Sequence, residues 1–347
     1  MNRRRRAGRN GSGRDSTDRD TLGLGWLIVI LVVTIATTGA AAIMRYRLPA
    51  GSIASKQQQI ASERPEIILL GNSLLDEGID VLAFAELVGH STLKWTSGGS
   101  ASAYWYVALK NGIAPCEHRP QWAIVFFSDT LLTQPGFRVT GNYRDLIERL
   151  TLPEEPILER LAYGASSSHW ARTVEKRWPL YGERHRFRGY AETIVKRATA
   201  TLTGVSETAL ADATSAAFRP GNLDPVRFTA LQANAEVANV SDFNEQLDPS
   251  FLPHMIDVMT QAGIRLAFVR VPLRRDGLRQ PQPPELVDYV TELESYLASR
   301  DVPLIDLSRD TPLSEEQFAD GNHLDRETGR PLFTRIAAEA LRRELGL

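Results

Sequence analysis

Apolar positions after residue 65 follow two alternating patterns. Short runs rich in β-branched residues predict buried strands, and longer stretches with apolar residues every three or four positions predict amphipathic helices. The predicted strands are Glu66–Leu70, Thr92–Trp95, Trp122–Phe127, Ile264–Val271 and Val302–Leu307. The predicted helices are Asp80–Val88, Ala101–Leu109, Pro253–Ala262, Glu285–Leu297 and Pro331–Leu345. This alternation predicts an α/β fold, a three-layer α/β/α sandwich on a five-stranded parallel sheet.

The alternation stops between residues 131 and 247, where no convincing strand pair occurs. We therefore predict a mostly helical insertion after strand 3 in this region. Insertions at such positions commonly form lids over a site. Within it, Trp170–Leu202 carries eight Lys or Arg against three Glu, with aromatic residues interleaved. This segment is either a face for anionic headgroups or polymer, or a solvated basic helix pair that packs its aromatic residues inward.

The N-terminal region has a different hydrophobic pattern, with 24 uncharged residues between Asp20 and Arg45. A helix of that length spans roughly 36 Å, which exceeds the ~30 Å hydrocarbon layer of a bilayer. We therefore predict a disordered basic tail (1–20), a transmembrane helix (21–44) and a linker or short stalk helix (45–64) before the domain at 65–347. The alternative is a cleaved signal peptide, although its apolar region normally runs only about 7–15 residues.

The distribution of charge predicts the orientation of the transmembrane helix and argues against nucleic-acid binding. Seven Arg precede the apolar segment and two follow it closely, so the positive-inside rule places the N-terminus in the cytoplasm. The domain then lies outside the inner membrane. Residues 1–47 hold nine Arg and three Asp; the other 31 basic and 39 acidic residues leave that remainder near −8. Neither this charge nor any motif indicates nucleic-acid binding.

Cysteine and histidine usage gives no sign of a metal site or cofactor. Cys116 is the single cysteine, which excludes an internal disulfide and a cysteine–zinc site. The six histidines form no ligand cluster in the sequence. We therefore expect no metal and no cofactor.

The first candidate for chemistry is Ser73, which follows the first strand directly in the sequence EIILLGNSLLDEG. The carboxyl ends of parallel strands are where ligands bind in open α/β sheets. Ser73 is therefore either a helix cap or a nucleophile. A nucleophilic serine needs a base within hydrogen-bond reach, itself oriented by a third group.

The second candidate pair is Asp320 and His323, in the sequence FADGNHLDRETG. Among the six histidines, only His323 has this pattern of a carboxylate three residues before it, between the fifth strand and the last helix. Asp320 can orient the imidazole while the other ring nitrogen faces Ser73, which is the logic of a Ser-His-Asp triad. The alternative is a simple hydrogen bond within the loop.

These motifs together resemble those of the SGNH/GDSL hydrolase superfamily, in particular its membrane-anchored members that handle acyl groups on envelope polymers. GNSL at 71–74 is similar to the first family block, and DGNH at 320–323 is similar to the last. TSGGSAS offers Gly98 and Gly99 for the second block, whose glycine donates a backbone amide.

The resemblance implies a flavodoxin-like fold with Ser73 as nucleophile, His323 as base and Asp320 as its partner. The amide of Ser73 and that of Gly98 or Gly99 would form the oxyanion hole.

The third family block is where the sequence departs. The superfamily usually has Gly-x-Asn-Asp after the third strand, and its Asn completes the oxyanion hole. Here the strand ends in FFSDT, so Ser128, Thr130 or Asn142 would have to replace that donor. Loss of one oxyanion donor costs about 10²–10³ in rate, so the departure favours slow transfer chemistry or a lost activity over fast hydrolysis. Tyr104 and Trp105 are either the floor of a sugar site or core residues.

Two functions are compatible with these patterns. The first is a membrane-anchored serine esterase or O-acyltransferase acting on acyl esters of an envelope polysaccharide, with acetyl as the expected acyl group. Its partners would be that polysaccharide or an acyl donor, with an integral membrane acyltransferase as donor protein and the bilayer at residues 21–44. The second is a non-catalytic subunit of a modification or export complex that keeps the fold and binds polymer without turnover.

Overall fold

A computed structural model describes residues 52–140, 142–164, 242–309 and 311–347, without the side chains of Asn142 and Asp320. The predicted tail and transmembrane helix (1–20 and 21–44), most of the insertion and the basic segment Trp170–Leu202 lie outside the described residues. None of the helices in the described part has the length and apolar character needed to cross a bilayer.

The centre of the fold is a five-stranded sheet in which every neighbouring pair is parallel. Its spatial order is β2-β1-β3-β4-β5, the flavodoxin-like arrangement that the family resemblance implies. The strands are β1 (Ile67–Gly71), β2 (Thr92–Thr96), β3 (Trp122–Phe127), β4 (Arg265–Arg270) and β5 (Leu304–Asp306). A short antiparallel ribbon follows, made of β6 (Phe318–Asp320) and β7 (His323–Leu324).

Two hydrophobic clusters cover the two faces of this sheet. Successive side chains of a strand point to opposite faces, so Ile68 and Leu70 join one cluster while Ile67 and Leu69 join the other. All five residues of β1 are buried, as expected for a central parallel strand covered on both sides. The predicted three-layer sandwich is therefore present.

The helices divide between these layers. In chain order the α-helices are α1 (Ile53–Glu63), α2 (Ser73–Gly78), α3 (Val81–Val88), α4 (Ser102–Val107), α5 (Asn142–Glu148), α6 (Pro156–Leu158), α7 (Phe243–Leu247), α8 (Leu252–Ala262), α9 (Arg274–Gly277), α10 (Pro284–Ala298) and α11 (Gly329–Leu345). Helices α4, α8 and α10 bury residues in the first cluster, and α3 and α11 bury residues in the second.

Two helices extend beyond the predicted pattern. Helix α4 continues as a π-helix over Ala108–Ile113, where Gly112 lies so close to the Trp95 ring that a Cβ there would be 2.3 Å from it. The stretch predicted to be a linker or a short stalk helix (45–64) contains helix α1, which Ser52 caps. The side chain of Ile60 in α1 is fully buried in the first cluster. This stretch is part of the folded unit because Ile60 contributes to its core.

The described parts of the insertion are helical and are anchored to the sheet domain. Glu155 is buried, and its carboxylate accepts hydrogen bonds from Lys110 Nζ and Asn111 Nδ2, each at 2.6 Å. Asn111 Nδ2 also donates to the Leu150 carbonyl oxygen at 2.8 Å. A buried carboxylate that is paired and hydrogen-bonded in this way holds α5 and α6 against the π-helix.

Candidate active site

Ser73 lies at the corner between β1 and α2. Gly71 ends the strand, and a Cβ at this position would lie 2.8 Å from the Leu75 Cβ, so the tight turn requires glycine. Asn72 is the N-cap of α2, since its Oδ1 accepts the Leu74 amide hydrogen at 2.9 Å. Asn72 rather than Ser73 therefore caps the helix, and the Ser73 hydroxyl is available for another contact.

His323 makes that contact: its Nε2 lies 2.9 Å from Ser73 Oγ. Both side chains are half-buried, which keeps the pair reachable by a substrate. When Nε2 carries no proton, the serine hydroxyl donates to it, as a nucleophile does to its base. The structure thus brings together two of the three predicted catalytic residues.

The hairpin β6–β7 positions His323. Asp320 and His323 are direct partners in the antiparallel ribbon, joined by a two-residue turn in which Gly321 adopts a φ of +44°. The spacing Asp-x-x-His is therefore the spacing of a tight hairpin. The side chain of Asp320 lies outside the described part, so its role as the orienting group stays a prediction.

A second contact fixes the tip of this hairpin. The backbone amide of Arg274, at the start of α9, donates a hydrogen bond to Asn322 Oδ1 at 3.1 Å. Gly277, at the end of α9, packs against the hairpin, because a Cβ there would meet the Phe318 ring at 2.7 Å. Sequence reasoning missed α9 as the support of the histidine, since the helix has only four residues and no apolar period.

The glycine loop after β2 is tied to the same corner. The Gly71 carbonyl oxygen accepts hydrogen bonds from the Ser97 amide at 3.2 Å and the Ser100 hydroxyl at 3.1 Å. Trp105 Nε1 in turn donates to Ser100 Oγ at 3.0 Å. Trp105 is fully buried and is a core residue that supports the loop rather than a sugar platform; Tyr104, also buried, accepts from the Trp95 indole.

The two glycines of this loop differ in their surroundings. Gly98 is exposed, and a Cβ there would meet nothing within 4 Å. Gly99 has a φ of +70° and is overlaid by Tyr143, whose ring carbon would come within 2.5 Å of an added Cβ. Gly98 therefore faces open space beside the Ser73 corner, and Gly99 supplies the left-handed turn.

The residues after β3 belong to a network of charges. Asp129 has a φ of +49°, rare for a residue other than glycine, and its carboxylate pairs with Arg275 and with Arg270, the latter at 3.6 Å. Arg270 is almost fully buried and also donates to Asp306 at 3.0 Å and Ser308 at 2.7 Å. The network links the carboxyl ends of β3, β4 and β5.

Two of the three predicted substitutes for the third-block asparagine make no hydrogen bond to the Ser73–His323 pair among the described residues. Ser128 and Thr130 are buried, and neither hydroxyl hydrogen bonds to Ser73 or His323. The Thr130 hydroxyl accepts from Gln134 Nε2 at 2.5 Å. The remaining substitute, Asn142, begins α5, and its side chain is not described.

Comparisons with known proteins give remote likenesses only. No family model matches the sequence, and no curated protein matches it. One similar solved structure is a candidate acylhydrolase from Bacteroides fragilis, with 10% identity and a TM-score of 0.39 over 86% of this chain and 100% of that one. Another is a GDSL-like lipase from Bacteroides thetaiotaomicron, with 8% identity and a TM-score of 0.38 over 83% and 97% of the two chains. Likenesses this remote carry no inference about activity.

The order of the sheet and the position of the two motifs agree with the resemblance seen in the sequence. GNSL ends β1, DGNH forms the hairpin before the last helix, and the two meet at Ser73 and His323. The chain resembles the SGNH/GDSL hydrolases. Its third block stays the point of departure from the SGNH/GDSL pattern, since Ser128, Asp129 and Thr130 follow β3 without the usual asparagine.

Two further observations concern possible metal ligands and the single cysteine. Within them, no group of three or more His, Cys, Asp or Glu side chains is arranged to hold a metal ion. Cys116 is buried, and burial raises the pKa of its thiol. Its sulfur donates to the Gly112 carbonyl oxygen at 3.0 Å, as suits a small core residue.

Proposed function

We propose that the protein is an SGNH-type serine esterase or O-acyltransferase that acts through an acyl-serine on acyl esters of a cell-envelope polysaccharide. The observation that supports it most is the 2.9 Å distance between Ser73 Oγ and His323 Nε2. A structural serine at a strand–helix corner has no need of an imidazole contact from a hairpin so distant in sequence.

The first half-reaction forms the acyl-serine. Ser73 Oγ attacks the ester carbonyl carbon while its proton passes to His323 Nε2, which leaves a tetrahedral oxyanion. The Ser73 amide, at the start of α2 and without an intrahelical acceptor, and the amide of Gly98 are the donors that we assign to this oxyanion. The intermediate collapses when the imidazolium returns the proton to the departing alkoxide.

The second half-reaction decides between hydrolysis and transfer. His323 takes a proton from an acceptor hydroxyl, which attacks the acyl-serine and releases either a free acid or a new ester. With water the product is the acid, and with a sugar hydroxyl it is an acylated polysaccharide. Transfer requires water to be excluded, a role that we assign to the insertion at 131–247.

A serine-directed fluorophosphonate probe tests the proposal directly. Labelling of the wild-type protein that is abolished in Ser73→Ala, but not in a control such as Ser62→Ala on the exposed side of α1, supports a nucleophilic Ser73. Folded wild-type protein that neither reacts with the probe nor hydrolyses activated esters would instead support the non-catalytic subunit, for which the altered third block is the favourable observation.

The acyl acceptor is tested separately. The domain is incubated with a chromogenic acetyl ester, with and without oligosaccharide acceptors, and the products are separated by mass. An acetylated oligosaccharide identifies a transferase, whereas acetate alone identifies an esterase.

The anchor at residues 21–44 is part of the proposal. The full chain should remain with the membrane fraction in carbonate washes, and a chain that starts at residue 48 should not. Protease added outside the inner membrane should degrade the domain at 65–347 if the N-terminus is cytoplasmic, and protection of that domain would reverse the orientation.

A further inference from the structure

An arginine flanked by two aromatic rings lies beside the glycine loop. The Arg138 guanidinium carbon is 5.0 Å from the centre of the Phe137 ring and 5.3 Å from that of Tyr143. Both distances are within the range of cation–π contacts. We call Phe137, Arg138 and Tyr143 the rim cluster.

The rim cluster contacts the candidate active site through Gly99. A Cβ at Gly99 would lie 3.0 Å from Arg138 Nη1 and 3.0 Å from the Tyr143 hydroxyl. Gly99 lies between Ser97 and Ser100, which both bind the Gly71 carbonyl oxygen. The rim cluster is therefore one loop away from the corner that carries Ser73.

The charge of Arg138 has no carboxylate partner in the part of the chain that the structure describes. Its side chain is exposed, whereas Arg270 and Arg275 further along the sheet edge pair with Asp129. Arg144, in the next helix, likewise pairs with Glu148 at 2.8 Å. An arginine that aromatic rings hold beside the Ser73 corner, without a carboxylate partner among the described residues, is suited to bind an anion.

The backbone of Arg138 supports a fixed position for this charge. The residue adopts a φ of +54°, a conformation that costs energy for residues other than glycine and persists when the surroundings impose it. Val139, which follows it, is buried in the core. The guanidinium is thus presented from a short anchored segment.

We propose that the rim cluster is a subsite for the carboxylate of an acidic sugar, so that the polymer acted on is a uronate-containing polysaccharide rather than a neutral one. Arg138 would bind the carboxylate with two parallel hydrogen bonds. The exposed Phe137 would cover the apolar face of the ring. This inference rests on the proposed function for its substrate, but not for the binding event itself.

Kinetics on two matched substrates test the subsite. The enzyme is assayed on acetylated oligogalacturonate and on acetylated xylo-oligosaccharide, which is neutral. The glutamine amide in Arg138→Gln can keep one of the two hydrogen bonds. The variant should therefore raise KM for the anionic substrate about 10- to 100-fold, the effect of losing one hydrogen bond between charged groups, and leave the neutral substrate within about twofold. Arg138→Lys should recover part of the loss, and Arg335→Gln, an exposed arginine on α11, should change neither substrate. Equal losses on both substrates would overturn the subsite.

A binding measurement separates this inference from the proposed function. Unacetylated oligogalacturonate is titrated into the Ser73→Ala protein and into Ser73→Ala/Arg138→Gln, with circular dichroism to check folding. The subsite is supported if the affinity of Ser73→Ala falls with added salt and is about tenfold or more weaker in the double variant. This holds even for a protein without esterase activity. Unchanged or absent binding overturns the subsite, whatever the fluorophosphonate result.

Discussion

His323 Nε2 lies 2.9 Å from Ser73 Oγ although 250 positions separate the two residues in the chain. The first stands in a hairpin and the second at the start of a helix, and only the tertiary fold unites them. If this contact is the functional one, the residues around it should divide into those that affect turnover and those that affect stability.

Replacement of His323 by alanine should separate these two effects. We expect acyl turnover to fall roughly 10²–10⁴-fold because the general base is lost. Thermal stability should change little, since the side chain is half-exposed. Ester hydrolysis and a melting curve measure the two quantities, and turnover that survives would remove His323 from the mechanism.

The cap of α2 should contribute to stability. Asn72→Ala removes the acceptor of the Leu74 amide hydrogen and should lower the free energy of unfolding by about 0.5–2 kcal/mol. Asn72→Asp retains the acceptor and is the matched control. Urea denaturation of both variants tests this, and equal stability of the two would mean that the cap contributes nothing.

The two glycines of the loop should respond differently to a methyl group. Gly99→Ala introduces a Cβ against Tyr143 at a φ of +70° and should destabilise by about 1–3 kcal/mol. Gly98→Ala faces open space and retains its amide, so stability and turnover should both stay close to wild type. A large loss of stability in Gly98→Ala alone would contradict this distinction.

Arg270 should be the most sensitive charge in the network behind the site. Arg270→Ala leaves nearby carboxylates without their buried partner and should cost about 3–5 kcal/mol. Arg309 contacts the same Asp306 carboxylate at 3.1 Å but is half exposed, so Arg309→Ala should cost at most about 1 kcal/mol. Chemical denaturation measures the free energy of unfolding of both variants. Similar losses would show that burial of the arginine does not determine how much it contributes to stability.

Asp276 predicts a pH effect on folding. Burial raises the pKa of this carboxyl, although the Leu273 amide, Gln282 and the nearby arginines oppose the shift. Between the ordinary pKa and the raised one, the folded state holds a proton that the unfolded state has released. Stability is therefore lost as pH rises through that window and remains lower above it.

Asp276→Asn abolishes this titration and keeps an oxygen acceptor. Over a series from about pH 3 to neutral pH, its stability relative to wild type should therefore increase, and the increase should begin near the ordinary aspartate pKa. Asp288→Asn, the same substitution at an exposed position on α10, serves as the control. Unfolding curves at several pH values supply the measurement, and parallel curves for Asp276→Asn and wild type would contradict it.

Much of the sheet domain was predictable from local pattern. All five strands of the sheet were predicted within two residues at each end, because buried parallel strands are continuous apolar runs. The order of the strands followed only through the family resemblance. The Ser73–His323 contact was predicted from motif chemistry and from the rule that strand ends share one edge of the sheet.

Other parts of the site depend on contacts that leave no local signal. Asn72 rather than Ser73 caps the helix, which the pair Asn-Ser alone does not decide. The support of the hairpin by α9 and the pairing of Asp129 with Arg275 join segments whose sequences have no shared pattern. The position of Arg138 beside Gly99 likewise depends on the path of the insertion, which hydrophobic periodicity does not specify.

The hairpin that carries His323 lies just before the last helix, whereas Ser73 follows the first strand. A ribosome therefore makes the nucleophile early and its base late. Until the hairpin has been made and has docked on the sheet, Ser73 has no imidazole beside it, so an incomplete chain lacks the Ser73–His323 pair.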